Sequence, residues 1–186
     1  MNLKGSQTEK NLLAAFAGES QARNRYSFAA SKAREEGFQQ IAHVFEETAN
    51  QEKEHAKRLY KLLEGGDLTI SASFPAGMVG TTLENLRSAA EGERYEHSDM
   101  YPTFAKVAKE EGFNAIAAVF TAIAIAEKGH DEQFSKFATQ VEGDNFWMRE
   151  SAATWRCLNC GYVHHGHSAP KMCPACAHPQ GYFEEI

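Results

Sequence analysis

The chain repeats itself. Glu35-Glu36-Gly37-Phe38-Gln39-Gln40-Ile41-Ala42 returns as Glu110-Glu111-Gly112-Phe113-Asn114-Ala115-Ile116-Ala117, at an offset of 75 residues. Val44-Phe45 returns as Val119-Phe120, and Glu52 with His55 returns as Glu127 with His130, in the same register. A unit of this kind buries its apolar face against its copy. The two copies are therefore expected to pack about a pseudo-twofold axis and to share one central region.

Each copy reads as a helical hairpin. Ser6 and Glu9 form a capping-box pattern that starts a first helix near Gln7. It can run to about Glu36, with Gly37 suited to the left-handed position beyond its end. A second helix follows at once and is expected to stop at Gly65-Gly66; so short a connection permits only an antiparallel neighbour. Residues 65–80, with Pro75, Gly77 and Gly80, read as a linker. Thr81 and Glu84 open a third helix ending near Gly112, and a fourth runs to about Val141. A linker of this length between two hairpins predicts an all-α four-helix bundle of ferritin-like arrangement, with the crossover between helices 2 and 3.

The buried stripe of helix 2 is Phe38, Ile41, Phe45, Thr48, Glu52, His55, Leu59 and Leu62, spaced alternately by three and four. Helix 4 repeats it with Phe113, Ile116, Phe120, Ile123, Glu127, His130, Phe134, Phe137 and Val141. Each apolar face is interrupted at its middle by one Glu and one His. Helix 1 carries Glu19 within Leu12, Ala15, Phe16, Ala22 and Tyr26. Helix 3 carries Glu93 within Leu86, Ala89, Ala90, Met100 and Phe104. A single Glu-x-x-His is most often a solvated face or a satisfied core histidine. Two copies at matching depth, each with an upstream Glu, need a shared compensator, because unpaired buried carboxylates cost several kcal/mol. A pair of metal ions supplies it: Glu-x-x-His on two helices and Glu on the other two is the donor set of di-iron bundles. His43 and His97 lack such a setting and are read as structural or exposed.

The repeat has one irregularity. Glu19 to Tyr26 spans seven residues, whereas Glu93 to Tyr101 spans eight, and the register is restored afterwards. One residue inserted into a helix predicts a π-bulge, which Pro102 favours because it has no N–H to return to Ser98. The bulge is expected to turn Glu96 inward.

A net charge of -6 offers no attraction to nucleic acid or an anionic membrane. The apolar run from Ala115 to Ala126 is shorter than the roughly 20 residues that span a bilayer. The first seven residues lack the apolar core of a signal peptide, so a cytoplasmic protein is expected.

All four cysteines lie near the C-terminus, as Cys157-x-x-Cys160 and Cys173-x-x-Cys176. Two such knuckles make a tetrahedral thiolate site for iron or zinc. A tail this short is expected to need the metal in order to fold. The spacing does not separate an iron centre from a structural zinc ribbon. Position 177 is Ala where many free-standing rubredoxins carry Gly. The expected division is a bundle over residues 1–143, a linker over 144–153, and a rubredoxin-like β domain over 154–186.

The chain resembles the rubrerythrins over essentially its whole length. The likeness rests on Ala17-Gly18-Glu19-Ser20-Gln21-Ala22, both Glu-x-x-His pairs, Gly92-Glu93-Arg94-Tyr95-Glu96-His97, Met100-Tyr101-Pro102 and Cys173-Pro174-Ala175-Cys176-Ala177-His178-Pro179. The resemblance implies two non-haem irons bridged by Glu52 and Glu127, with Glu19 and Glu93 as terminal ligands and His130 a permanent one. It further implies that one iron exchanges Glu96 for His55 on reduction. Four carboxylates balance two ferrous ions, and five with a bridging oxide better match two ferric ions. Tyr26 and Tyr101 would donate to the carboxylates and, with Glu96, serve the chemistry. The cysteines would hold a third iron, with zinc possible at either site.

The implied activity is reduction of hydrogen peroxide in oxidative stress defence. Electrons would come from a rubredoxin or an NAD(P)H-dependent reductase, in a homodimer or larger homo-oligomer whose tail lies beside the partner's bundle. Ferrous-iron oxidation and storage is the alternative from the ferritin-like class, and a zinc-ribbon interaction module is a third.

Overall fold

The capping signals become helix starts in the computed structural model, which describes residues 2–186. Helix α1 spans Gln7–Glu35, with the Ser6 side chain accepting from the Glu9 N–H. Helix α2 spans Gln39–Tyr60, helix α3 Thr82–Tyr95, helix α4 Tyr101–Glu110 and helix α5 Asn114–Glu142. Thr81 and Glu84 form the complete capping box on α3. A π-helical turn over Glu96–Met100 joins α3 to α4 as one rod, at the position of the inserted residue. Its signature bond runs from the Tyr101 N–H to the Glu96 carbonyl.

Why the Glu-Gly-Phe segments recur becomes clear at the hairpin turns. Gly37 and Gly112 adopt φ of 86° and 83°, a conformation that a side chain would strain. The following N–H groups of Phe38 and Phe113 then return to the Ala33 and Ala108 carbonyls at 2.8 and 2.7 Å, closing each helix. The glutamates before the glycines cap across the axis. Glu36 accepts from the Thr82 N–H at 2.9 Å, at the start of α3. Glu111 accepts from the Gln7 and Thr8 N–H groups at 3.0 and 2.8 Å, at the start of α1. Each hairpin thus supplies the anion that the other's first helix dipole favours.

Helix α2 ends at Tyr60, earlier than the expected Gly65-Gly66. The N–H groups of Leu62 and Leu63 tighten onto the carbonyls of Leu59 and Tyr60, so the last turns leave α geometry while Leu62 and Leu63 stay packed on the core. The extended segment after it crosses to α3. α1 packs chiefly on α2, and α3 and α4 chiefly on α5. The apolar interior falls into two clusters, one around Tyr26, Phe45, Leu86 and Phe134, the other around Leu12, Leu59, Tyr101 and Phe120. Glu19, Glu52, Glu93 and Glu127 lie between them along their helices. Among the described residues, no helix is long and apolar enough to cross a membrane.

The tail is a three-stranded antiparallel sheet in the order β2-β1-β3, with β1 at Met148–Cys157, β2 at Val163–Ser168 and β3 at Phe183–Glu185. Strand β1 begins inside the segment expected to be linker, and the preceding Phe146 and Trp147 pack on the bundle. Trp147 stacks on Phe38 with ring centroids 5.1 Å apart, and Phe146 meets Phe137 at 5.8 Å. Behind them, the Gly181 backbone rests on the Gly37 carbonyl so closely that a Cβ at 181 would overlap it. Aromatic burial, invisible to a composition reading, turns that segment into a docking element.

Candidate metal centres

Four carboxylates occupy the dry middle of the bundle: Glu19, Glu52, Glu93 and Glu127 are each at most 1% exposed. One donor group comprises Glu19, Glu52, His55 and Glu127; a second comprises Glu52, Glu93, Glu127 and His130, with the atoms of each within 4.8 Å of one another. Glu52 and Glu127 belong to both groups. His55 Nδ1 lies 2.9 Å from Glu127 and 3.1 Å from Glu52, and His130 Nδ1 lies 2.7 Å from Glu127 and 3.1 Å from Glu52.

Electrostatics show how unusual this interior is. Burial pushes Glu19 well above the usual carboxylate range, and burial with the charges of Glu52 and Glu127 pushes Glu93 up to about 8. Burial acts on Glu52 in the same sense, but the imidazoles of His130 and His55, each 3.1 Å away, outweigh it and bring Glu52 to about 2. Burial would lower both imidazoles; their carboxylate partners, Glu127 first, reverse this, carrying His130 to about 12 and raising His55 as well. The protons stand where cations fit. Glu19 Oε2, Glu52 Oε1, Glu93 Oε2, both Glu127 oxygens and His130 Nδ1 are buried without a hydrogen-bond partner. Lone pairs gathered around one centre without partners are costly unless cations satisfy them. Four carboxylates and two imidazoles match the charge and ligand preference of two ferrous ions.

Two tyrosines brace the group across the bundle. The Tyr26 hydroxyl of α1 donates to Glu93 of α3, and the Tyr101 hydroxyl of α4 donates to Glu19 of α1. Each therefore serves the carboxylate of the other hairpin. Burial, then the nearby carboxylates, raises both phenols well above their ordinary value, so they remain donors.

Glu96 behaves differently from the other sequence-predicted ligands. It sits in the π turn, half-buried, and belongs to neither donor group. Burial, followed by the charges of Glu93, Glu127 and Glu52, holds its carboxyl well above the usual range, with Arg25 opposing. The present arrangement brings His55 to the carboxylates and leaves Glu96 beside them. His97 instead joins an outer network, 3.2 Å from Asp131, which also takes Arg94 at 2.9 Å. His43 is exposed.

Sequence reasoning passed over Gln51. Its Oε1 lies 2.9 Å from His130 Nε2. An opening of about 480 Å³ between α2 and α5, lined by Glu47, Gln51, His55, Ala126, His130 and Gln133, leads from the surface to both imidazoles. The available signal was a mismatch within the repeat, where Gln51 is answered by Ala126.

In the tail, the four cysteines are free thiols gathered into one group. Cys157 and Cys176 Sγ are 3.8 Å apart, and Cys160 and Cys173 Sγ are 3.6 Å apart. Sulfurs at the corners of a tetrahedron with metal–sulfur bonds of about 2.3 Å stand roughly 3.8 Å apart, so the cage fits a single metal ion. The two knuckles are alike: Gly161 and Ala177 N–H groups return to the Cys157 and Cys173 carbonyls at 2.8 and 2.9 Å. Gly161 has φ 76°, and Ala177 holds φ 56° despite its methyl group. The knuckle thus demands this backbone even where glycine is absent. The His178 N–H, the leading influence, draws Cys176 down to about 6. Trp155 donates to the Gly166 carbonyl at 3.0 Å and forms the small core with Ala169 and Phe183.

A ferritin-like helical bundle with a carboxylate and histidine cage for a metal pair, carrying a rubredoxin-like four-cysteine domain, is the class that fold and sites define. Its sequence matches the Rubrerythrin family over residues 10–138 and the rubrerythrin rubredoxin-like domain over residues 155–184. The chain belongs to the rubrerythrin family. It is 56% identical over 183 residues to a rubrerythrin of Nitratidesulfovibrio vulgaris, covering 98% of this chain and 96% of that protein. It is 58% identical over 185 residues to a rubrerythrin of Porphyromonas gingivalis, covering 100% and 92%. Among solved structures, fully reduced, all-ferrous nigerythrin superposes with a TM-score of 0.65 at 34% identity, covering 98% of this chain and 91% of that one.

Proposed function

We propose that this protein reduces hydrogen peroxide to water in the cytoplasm, as a defence against oxidative stress. The bundle over residues 1–143 would hold the reacting metal pair and the domain over 154–186 would relay electrons. The observation that carries the reading is the double donor group, in which Glu52 and Glu127 are common to both halves and an opening reaches His55 and His130. Glu19, Glu52, His55 and Glu127 would hold one iron, and Glu52, Glu93, Glu127 and His130 the other. An iron pair held there supplies two electrons together, as H2O2 + 2e⁻ + 2H⁺ → 2H2O requires. Glu96, held beside the site in the π turn, would furnish one of those protons and exchange with His55 as a ligand when the oxidation state changes. Tyr26 and Tyr101 hold the terminal carboxylates in place.

The four thiolates leave no position for a substrate, which suits one-electron transfer. They would receive electrons from a rubredoxin or an NAD(P)H-dependent reductase and pass them to the bundle, in a homodimer that sets one tail beside its partner's bundle. An iron-storage role would leave the appended cysteine domain without a use.

Anaerobic reduction followed by one equivalent of peroxide tests the reading. The di-iron absorption should return before that of the thiolate-bound iron, and absence of reaction on catalytic timescales excludes peroxidase function. Tyr101→Phe, which leaves Glu19 without its donor, should slow this reoxidation by about 10- to 100-fold, measured by stopped flow.

A further inference from the structure

The two imidazoles of the bundle are related by the repeat but are not held alike. Both present Nδ1 to the carboxylates: His55 to Glu127, Glu52 and Glu19, and His130 to Glu127, Glu52 and Glu93. Their ring centroids are 6.1 Å apart, and both rings border the same opening. Only one has its second nitrogen engaged. His130 Nε2 meets Gln51 Oε1 at 2.9 Å, across from α5 to α2. Among the described residues, His55 Nε2 has no protein hydrogen-bond partner. The repeat gives the reason, because the residue answering Gln51 at an offset of 75 is Ala126. Ala126 borders the opening beside His55 and offers a methyl group where Gln51 offers an amide.

We infer that Gln51 is a positioning residue that locks His130 to its metal position, and that Ala126, its counterpart, leaves His55 free to depart. An imidazole coordinating through Nδ1 carries its proton on Nε2, and an acceptor on that proton fixes both tautomer and ring orientation. Gln51 Oε1 is such an acceptor. A ring turning away from its metal must break every bond made by its far nitrogen, so the unanchored ring is the one that can turn. The sidedness of the site therefore follows from one amide present on α2 and missing on α5. This inference rests on the proposed metal pair but not on peroxide as substrate.

The test uses the full chain loaded with Zn²⁺, which is diamagnetic, and follows imidazole ¹⁵N–¹H signals by NMR together with stepwise zinc affinities. Gln51 is exposed, so its substitution spares the core. In the native chain, the His130 Nε2–H should exchange slowly with water and that of His55 quickly. Gln51→Ala should abolish the slow signal and weaken one of the two bundle zinc sites by about 10- to 100-fold. Gln51→Glu, which keeps an acceptor oxygen, should restore both. Ala126→Gln should give His55 a slowly exchanging Nε2–H of its own. Equal exchange at both rings in the native chain, or unchanged exchange and affinity in Gln51→Ala, would overturn the inference. Neither readout involves peroxide, so failure of the peroxidase reading would leave this result standing, and the converse holds.

Discussion

The two metal centres of this molecule stand in opposite relations to their scaffolds. In the bundle, two apolar clusters hold four rods in place, and the donors are set into the layer between them. In the tail, the fully buried core is Trp155, Cys157, Ala169, Cys173 and Phe183, so two of its five members belong to the four-cysteine group itself. A domain of this size with so few fully buried apolar side chains depends on its metal for stability. The contrast teaches that in one domain the fold makes the site, and in the other the site makes the fold.

The largest expected effect separates the two directly. Stripping the thiolate-bound metal, or substituting Cys173→Ser, should unfold the tail while the helices persist. Two-dimensional NMR should show tail amides collapsing to unfolded positions with helical circular dichroism preserved; a tail that keeps its dispersion breaks the contrast.

A smaller effect is expected where the bundle houses its charges. Glu52 stands 3.1 Å from both His55 and His130. In the bundle stripped of cations, Glu52→Ala should cost about 3–5 kcal/mol, because removing one member of a buried ion group strands the others. Urea unfolding measures this, and an unchanged midpoint would mean that the scaffold does not feel its site.

The smallest concerns the reciprocal caps. Glu36→Ala and Glu111→Ala should each cost about 1 kcal/mol. Hydrogen bonds hold both carboxyls below the usual range, Glu111 first through Thr8, and Glu36 through Thr82 against the opposing effect of burial. A depressed pKa stabilises above the unfolded value and ceases to do so as pH falls through the folded one. The native chain should therefore lose its advantage over the double variant below about pH 4.3, read from melting temperature against pH. A constant difference would place the stabilisation outside these charges.

Much of this was legible in one dimension because it is periodic or local. The 75-residue repeat announced two hairpins, the interrupted stripes announced the polar layer, and the one-residue excess between Glu93 and Tyr101 marked the π turn. Other features were not legible. Nothing in the spacing says that Tyr26 serves Glu93 rather than Glu19, that Glu36 and Glu111 cap helices of the opposite hairpin, or that Phe146 and Trp147 pin the tail to the bundle. Nor does it say that Glu96, expected to turn in as a further ligand, lies outside both donor groups.

The sequence by itself determined the elements, their pairing into two equivalent halves, and the kinds of donor each half brings. Helix periodicity, capping and chelating spacing act over a few residues and leave their mark in the order of the chain. Only the tertiary structure decided which atom faces which. That depends on ångström-scale distances between helices remote in sequence, where one amide at Gln51 and one methyl at Ala126 distinguish two otherwise matching imidazoles.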